Sequence, residues 1–214
     1  MEKTRQDLVE YLRADGIGTG EVLAAMARVP RHLFVPWRQR EWAYEDRPLP
    51  IAADQSISQP RIVAQMTAAA QIEQGARVLE VGTGSGYQAA VLRAVGAEVF
   101  SIELEPRLAT AAGEALATAG VANGVTLRQG DGAQGWPEHA PFAAIVVTAA
   151  VDEVPQALVE QMEMGGRLVL PLGPRSGVQR LKVLRRHPDG LRLESEMPVR
   201  FVPLRTPRPA DSSS

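Results

Sequence analysis

Arg77-Val-Leu-Glu-Val-Gly82-Thr-Gly84-Ser-Gly86-Tyr87 decides the fold: an apolar run runs into three glycines at alternate positions, and a helical pattern follows. Glycine accepts positive φ and carries no side chain. Such a loop turns sharply and lets a ligand approach the backbone, while the helix start behind it offers unpaired N–H groups. The spacing reads as a nucleotide-type loop, although a tight turn without a ligand shares it. A dinucleotide fingerprint needs glycine or alanine at the sixth position counted from Gly82, where helix and strand pack beneath a pyrophosphate, and that position is Tyr87.

From Arg77 onward, short apolar runs alternate with alanine-rich helical stretches, as β–α units on a parallel sheet require. Strands are expected at 77–81, 98–102, 125–129, 142–148 and 166–171, and helices at about 86–95, 106–119 and 153–163, with Gly120 and Gly165 as helix stops. Residues 179–186 and 191–200 alternate around Pro188-Asp189-Gly190 and read as an antiparallel hairpin at the sheet edge. Upstream, 60–72 is helical with Pro60 in its first turn, and 4–14 and 20–28 form two short cap helices around Gly16-Ile-Gly18. Between them, Pro36, Pro48 and Pro50 and the aromatics Phe34, Trp37, Trp42 and Tyr44 mark an irregular segment suited to a lid. The fold class is α/β: a Rossmann-like, doubly wound, mostly parallel sheet with a C-terminal antiparallel hairpin and N-terminal cap helices. One domain is expected over 1–206, with 1–60 as cap and substrate region, 61–206 as the cofactor-binding core, and 207–214 as a flexible tail.

With 214 residues, 45% of them hydrophobic, the chain can bury about 70% of its unfolded surface around one core. A net charge of −2 gives no global field for a polyanion, so no nucleic-acid partner is expected. Cysteine is absent, which excludes disulfides, thiolate metal sites and cysteine nucleophiles, and suits a cytoplasmic location. The polar start and the lack of an apolar run of about 18 residues argue against a signal peptide or a membrane span. His32, His139 and His187 lie far apart and imply no metal. Gly-x-Ser-x-Gly and Gly-x-x-x-x-Gly-Lys-Ser/Thr are both missing.

In an open α/β sheet the ligand crevice lies outside the carboxyl ends of the strands. The second strand ends in Glu103, 17 residues after Gly86, where a carboxylate can accept both hydroxyls of a ribose; a solvated strand-end glutamate is the alternative. The third ends in Gly130-Asp131-Gly132, which suits either an acceptor for an adenine amino group or a plain Asp-Gly turn. The fourth ends in Thr148-Ala-Ala, small enough to leave room for a ligand or simply to pack. Ser56-Ile57-Ser58-Gln59-Pro60 looks first like a helix cap; a hydroxyl plus helix-start N–H groups could also hold a carboxylate, with Arg61 adding charge or merely solvated. The cluster Arg180, Lys182, Arg185, Arg186 and Arg192 reads as a solvated strand face.

Gly-x-Gly-x-Gly resembles the first motif of S-adenosylmethionine-dependent methyltransferases, and the order of motifs from Pro48 to Leu204 resembles protein-L-isoaspartate O-methyltransferases. The resemblance rests on Leu49-Pro50-Ile51, Ser56-Ile57-Ser58-Gln59-Pro60, Val78-Leu-Glu-Val-Gly82-Thr-Gly84-Ser-Gly86-Tyr87, Gly130-Asp131-Gly132, Val147-Thr-Ala-Ala150, Gly165-Gly-Arg-Leu-Val-Leu-Pro171 and Arg200-Phe-Val-Pro-Leu204. Gly16-Ile and Val29-Pro-Arg31 followed by Phe34-Val35 extend it loosely to the N-terminus. It implies a class I enzyme that moves a methyl group from S-adenosylmethionine, leaving S-adenosylhomocysteine, to the α-carboxylate of L-isoaspartyl residues in damaged proteins, initiating repair through a succinimide. It implies Ser58 as the active-site serine. Gly82, Gly84, Ser85 and Gly86 would line the cofactor's amino-acid moiety, Glu103 its ribose, and Asp131 with Gly132 its adenine, with Gln55, Ser56, Ile57, Thr83 and Leu104 as further cofactor contacts. The partners implied are isoaspartyl proteins and peptides, acted on by a monomer. The family's Gly-x-Gly-Gln-Thr-Ile-Ser reads here Ala52-Ala53-Asp54-Gln55-Ser56-Ile57-Ser58, and a tyrosine common after Gln-Pro is Arg61. An inward Asp54 would oppose an acidic substrate, and Arg61 would offset it. A methyltransferase for small molecules or nucleic acid, a carboxyl methyltransferase for aspartate in one partner, and a cofactor-binding protein without turnover are the competing readings.

Overall fold

The computed structural model describes residues 4–174 and 177–206. The expected tail at 207–214 lies outside the described residues. Two helices open the chain, α1 (Arg5–Ala14) and α2 (Gly20–Arg28). Thr4 caps α1 in a reciprocal box with Asp7, and Thr19 caps α2 through Val22 N–H. Two 3₁₀ turns, Arg31–Phe34 and Trp37–Trp42, carry the chain to a small antiparallel pair, β1 (Leu49–Pro50) and β2 (Ser56–Ile57). Helix α3 (Pro60–Ala70) follows, with proline in its first turn.

The α/β unit then runs β3 (Arg77–Val81), α4 (Tyr87–Ala94), β4 (Glu98–Glu103), α5 (Pro106–Thr118), β5 (Val125–Gln129), β6 (Phe142–Val147), α6 (Gln156–Glu160), β7 (Met162–Leu172), β8 (Gln179–His187) and β9 (Gly190–Val199). The sheet order is β5-β4-β3-β6-β7-β8-β9. Strands β5 through β7 are parallel, and β8 and β9 add antiparallel pairings, as the alternating pattern after Pro174 indicated. Winding reverses between β3 and β6, which opens a crevice at their carboxyl ends. Val78, Leu79 and Val81 of β3 are all fully buried, as expected for a central strand covered on both faces.

The N-terminal helices share a core with this unit. Leu8, Leu12, Val22, Leu23, Met26 and Phe34 pack with Tyr87, Ala90 and Val91 of α4 and Leu116 of α5. Phe34 meets Tyr87 edge to face at 5.6 Å between ring centroids.

One element differs from expectation. The helix expected over 153–163 spans only Gln156–Glu160, and β7 begins at Met162 instead of 166. Gly165 therefore lies inside a strand and stops no helix. The register jumps from Phe142↔Met162 to Ala144↔Arg167, and a side chain on Gly166 would sit 2.9 Å from the carbonyl oxygens of Ala143 and Glu163. The glycine pair makes a bulge.

The far edge carries a ladder of charge. Glu194 of β9 pairs with Arg167 at 2.9 Å and Arg185 at 3.7 Å, and Glu196 with Arg180 at 2.8 Å and Lys182 at 3.6 Å. The hairpin cations expected to be simply solvated are thus largely cross-strand partners.

Candidate active site

A cleft of about 930 Å³, counting its open mouth, lies at the β3/β6 reversal. One wall is the glycine loop, contributing Gly82, Thr83, Gly84 and Ser85. Gly82, Gly84 and Gly86 have φ of +93°, +54° and +85°, conformations that side-chain-bearing residues rarely adopt. At Gly82 space forbids a side chain as well, since a Cβ would stand 2.6 Å from Thr148 Oγ1. Thr148 leaves the end of β6 and donates to the carbonyls of Val81 at 3.1 Å and Gly82 at 2.5 Å, tying the two central strands together.

Glu103, buried at the end of β4, faces the same cleft. Its oxygens accept the N–H groups of Gly84 at 2.8 Å and Glu105 at 2.9 Å. Each carboxylate oxygen keeps a further lone pair, so a vicinal diol can be held while the glycine loop stays fixed. Glu103 and Glu105 are the charged groups beside that loop and would repel a phosphate. A nucleoside with a free ribose diol fits this donor and acceptor set.

Behind the loop is a carboxyl the sequence reading passed over. Glu80 is fully buried in β3, accepts from the Ser101 hydroxyl, and leaves Oε1 without a partner. Ser101 in turn meets the Thr83 hydroxyl at 2.5 Å. Burial pushes the Glu80 carboxyl up to about 8, with the Ser101 hydrogen bond pulling the other way.

The second wall is the β1–β2 hairpin, which presents Gln55, Ser56, Ile57 and Ser58. Ser58 does not cap α3: the N-cap is Gln59, without a side-chain cap bond, and the Ser58 hydroxyl has no hydrogen bond to any described residue. The α3 N-terminus is not free for an acid either. Pro60 has no N–H, Ile62 and Val63 N–H donate to the Gln59 carbonyl, and Arg61 N–H donates to Asp46 Oδ1 at 2.9 Å. Asp46 already takes the anion's place there.

Arg61 is likewise committed, so it neither serves the cleft nor lies simply solvated. Its guanidinium donates to Asp46 at 2.9 Å, to Asp15 at 2.6 Å and to the Tyr11 hydroxyl at 2.6 Å, linking α1 to α3. Asp54 is exposed and absent from the cleft lining, so it does not oppose an acidic substrate from within.

The residue that sets the hairpin wall is Arg31, which sequence reasoning missed as a functional position. It is fully buried, donates to the carbonyls of Ala43 at 2.8 Å and Ser58 at 2.9 Å, and lies over the Tyr87 ring at 4.8 Å. Burial lowers its pKa to about 10, so the cation persists at neutral pH. The one available signal was an arginine amid apolar neighbours in Val29-Pro-Arg31.

Gly132, Leu104, Thr148 and Ala149 complete the floor. Gly132 presses against Val81, leaving no room for a Cβ. Asp131 and Gly86 stand just behind the lining: Asp131 Oδ1 accepts from Ala133 N–H at 3.0 Å, and Gly86 caps α4 against Ala112. A strap of Val202, Pro203, Leu204 and Arg205 closes the last side, fixed by Ala150 N–H to the Val202 carbonyl at 2.8 Å and Leu204 N–H to the Ala150 carbonyl at 2.7 Å.

Sheet order, glycine loop and ribose-suited carboxylate together define a Rossmann-like methyltransferase scaffold. The sequence model of the protein-L-isoaspartate(D-aspartate) O-methyltransferase family matches residues 3–208, and the chain belongs to that family. It is 54% identical over 202 residues to the protein-L-isoaspartate O-methyltransferase of Gloeobacter violaceus, covering 94% of this chain and 98% of that one. Identity to the Methanoculleus marisnigri enzyme of the same name is also 54%, over 86% and 84% of the two chains. A solved protein-L-isoaspartate O-methyltransferase superposes with a TM-score of 0.84 at 29% identity; the match spans 94% of this chain and 65% of that one. A Plasmodium falciparum beta-aspartate methyltransferase, solved with S-adenosyl-L-homocysteine, shares the fold at TM-score 0.84 and 23% identity, over 96% and 100% of the chains.

Proposed function

We infer that the protein transfers a methyl group from S-adenosylmethionine to the free α-carboxylate of L-isoaspartyl residues in damaged proteins and peptides. The observation that carries the reading is a single cleft joining the glycine loop and Glu103 to a serine hydroxyl with no partner among the described residues. S-adenosylmethionine supplies an electrophilic methyl on a sulfonium. The acceptor carboxylate is already ionised near pH 7, so no general base is needed, and none faces the cleft in the form of a histidine. The chain's contribution is placement. Ser58 donates to the carboxylate, Glu103 and Gly82–Ser85 hold the nucleoside and amino-acid ends of the donor, Leu104 and Gly132 flank the base, and the strap excludes water. Gln55, Ser56 and Ile57 support the donor from the hairpin side, and Asp131 fixes the turn that presents Gly132. The ester so formed has a better leaving group than a carboxylate, which favours ring closure to the succinimide.

Residues 1–206 act as one methyltransferase domain, supported by the core that α1 and α2 share with α4 and α5. The enzyme works as a cytoplasmic monomer; no described helix is long and apolar enough to cross a membrane. The test is methyl-ester formation, followed by mass, on peptides differing only in L-isoaspartyl or L-aspartyl linkage. Selective labelling of the isoaspartyl peptide supports the reading, and labelling of neither with the donor bound refutes it. Ser58→Ala should lower turnover about tenfold with donor affinity nearly unchanged, as loss of a charge-assisted hydrogen bond predicts.

A further inference from the structure

We propose that Arg205, on the C-terminal strap, supplies the positive charge that binds the isoaspartyl α-carboxylate, making it a specificity-determining residue alongside Ser58. The proposal deepens the methyl-acceptor reading above and rests on it.

The charge balance of the cleft motivates it. Glu103 and Glu105 are the acidic groups in the lining, and both sit at the nucleoside end. An anionic acceptor entering beside them gains from a cation beyond the donor's sulfonium, because like charges in a partly desolvated site are unfavourable. Arg31 cannot supply it, being sealed under Ser58 and Ala43, and Arg61 is held by Asp15 and Asp46. Among the described residues that line the cleft, Arg205 is the one cation. It is exposed and makes no hydrogen bond or ion pair to another described residue.

Its position is set by the backbone. Leu204 N–H donates to the carbonyl of Ala150, two residues past Thr148, and Phe201 N–H donates to Gln179 Oε1 at 3.0 Å. The guanidinium therefore follows directly on a strap pinned at Phe201 and Leu204, and it carries a planar fork that matches a carboxylate.

The experiment measures binding of a fluorescent isoaspartyl peptide, and of its twin with the isoaspartyl α-carboxyl as an amide, in the presence of S-adenosylhomocysteine. The natural protein, R205Q and R205K are compared. R205Q should weaken the acid peptide about tenfold, leave the amide peptide and S-adenosylhomocysteine affinity within about twofold, and be partly rescued in R205K. Unchanged acid binding in R205Q, equal weakening of acid and amide, or loss confined to S-adenosylhomocysteine would each overturn the assignment. A natural protein that prefers the acid peptide but never methylates it would refute the activity reading while leaving this site standing.

Discussion

The two walls of the cleft meet similar backbone demands with different residues. The loop wall places glycine at each positive φ, at Gly82, Gly84 and Gly86, whereas the hairpin wall places Ala53 at +57° and Asp54 at +56°. On the loop side a Cβ at Gly82 would stand 2.6 Å from Thr148 Oγ1 and one at Gly86 3.2 Å from Ala112, while Gly84 has room and answers to its φ alone. On the hairpin side Asp54 points to solvent and Ala53 is only half-buried, so the penalty is conformational and never steric. Close approach selects glycine; a turn alone only favours it.

Breaking the loop wall should have the largest effect. Gly82→Ala forces Thr148 away and strains φ, with an expected loss of about 3 kcal/mol in urea unfolding and no S-adenosylhomocysteine heat in titration calorimetry. A variant that binds normally would show the loop to be more tolerant than its geometry. On the other wall, Arg31→Met strips the Ala43 and Ser58 carbonyls of their donors. Removing the unpartnered Nη1 offsets part of that cost, leaving about 2 kcal/mol of destabilisation and a fall in turnover that exceeds any change in donor affinity.

Glu80 sharpens the comparison through pH. Its folded-state pKa, about 8, is raised above the ordinary 4.5, so the folded form binds the proton more tightly. Stability from this group is full below the unfolded value and is lost as pH rises toward 8. Glu80→Gln, permanently neutral, should therefore gain steadily on the natural protein between pH 5 and pH 9, read as a widening gap between their denaturant midpoints. A constant difference across that range would mean Glu80 is not the titrating group. The smallest effect is expected from Asp54→Gly, which relieves a positive φ and should raise stability by less than about 1 kcal/mol, read as a small rise in Tm.

What could be read from sequence follows the same division. The glycine loop, the alternating β–α units and Glu103 are local or periodic signals, and the structure places each where the pattern indicated. The hairpin wall depends on contacts across the chain: Arg31 reaches Ser58 over 27 positions, and Asp46 reaches the start of α3 over 15. No window of sequence contains those pairs. The serine before Pro60 resembled a cap because the local rule cannot see that Gln59 takes that position. Met162-Glu-Met-Gly-Gly166 was misread for a related reason, since a glycine pair marks a helix stop or a strand bulge equally well until its neighbours are known.

The charged ladder at β9 has a consequence for the company this protein keeps. A damaged client whose chain has come loose presents backbone donors and acceptors that pair with any free row. A ten-residue outer strand would offer such a row, yet here it bears Arg192, Glu194 and Glu196 together with Pro198, which withholds an N–H. A repair enzyme so edged can handle misfolded clients without becoming a seed for their aggregation.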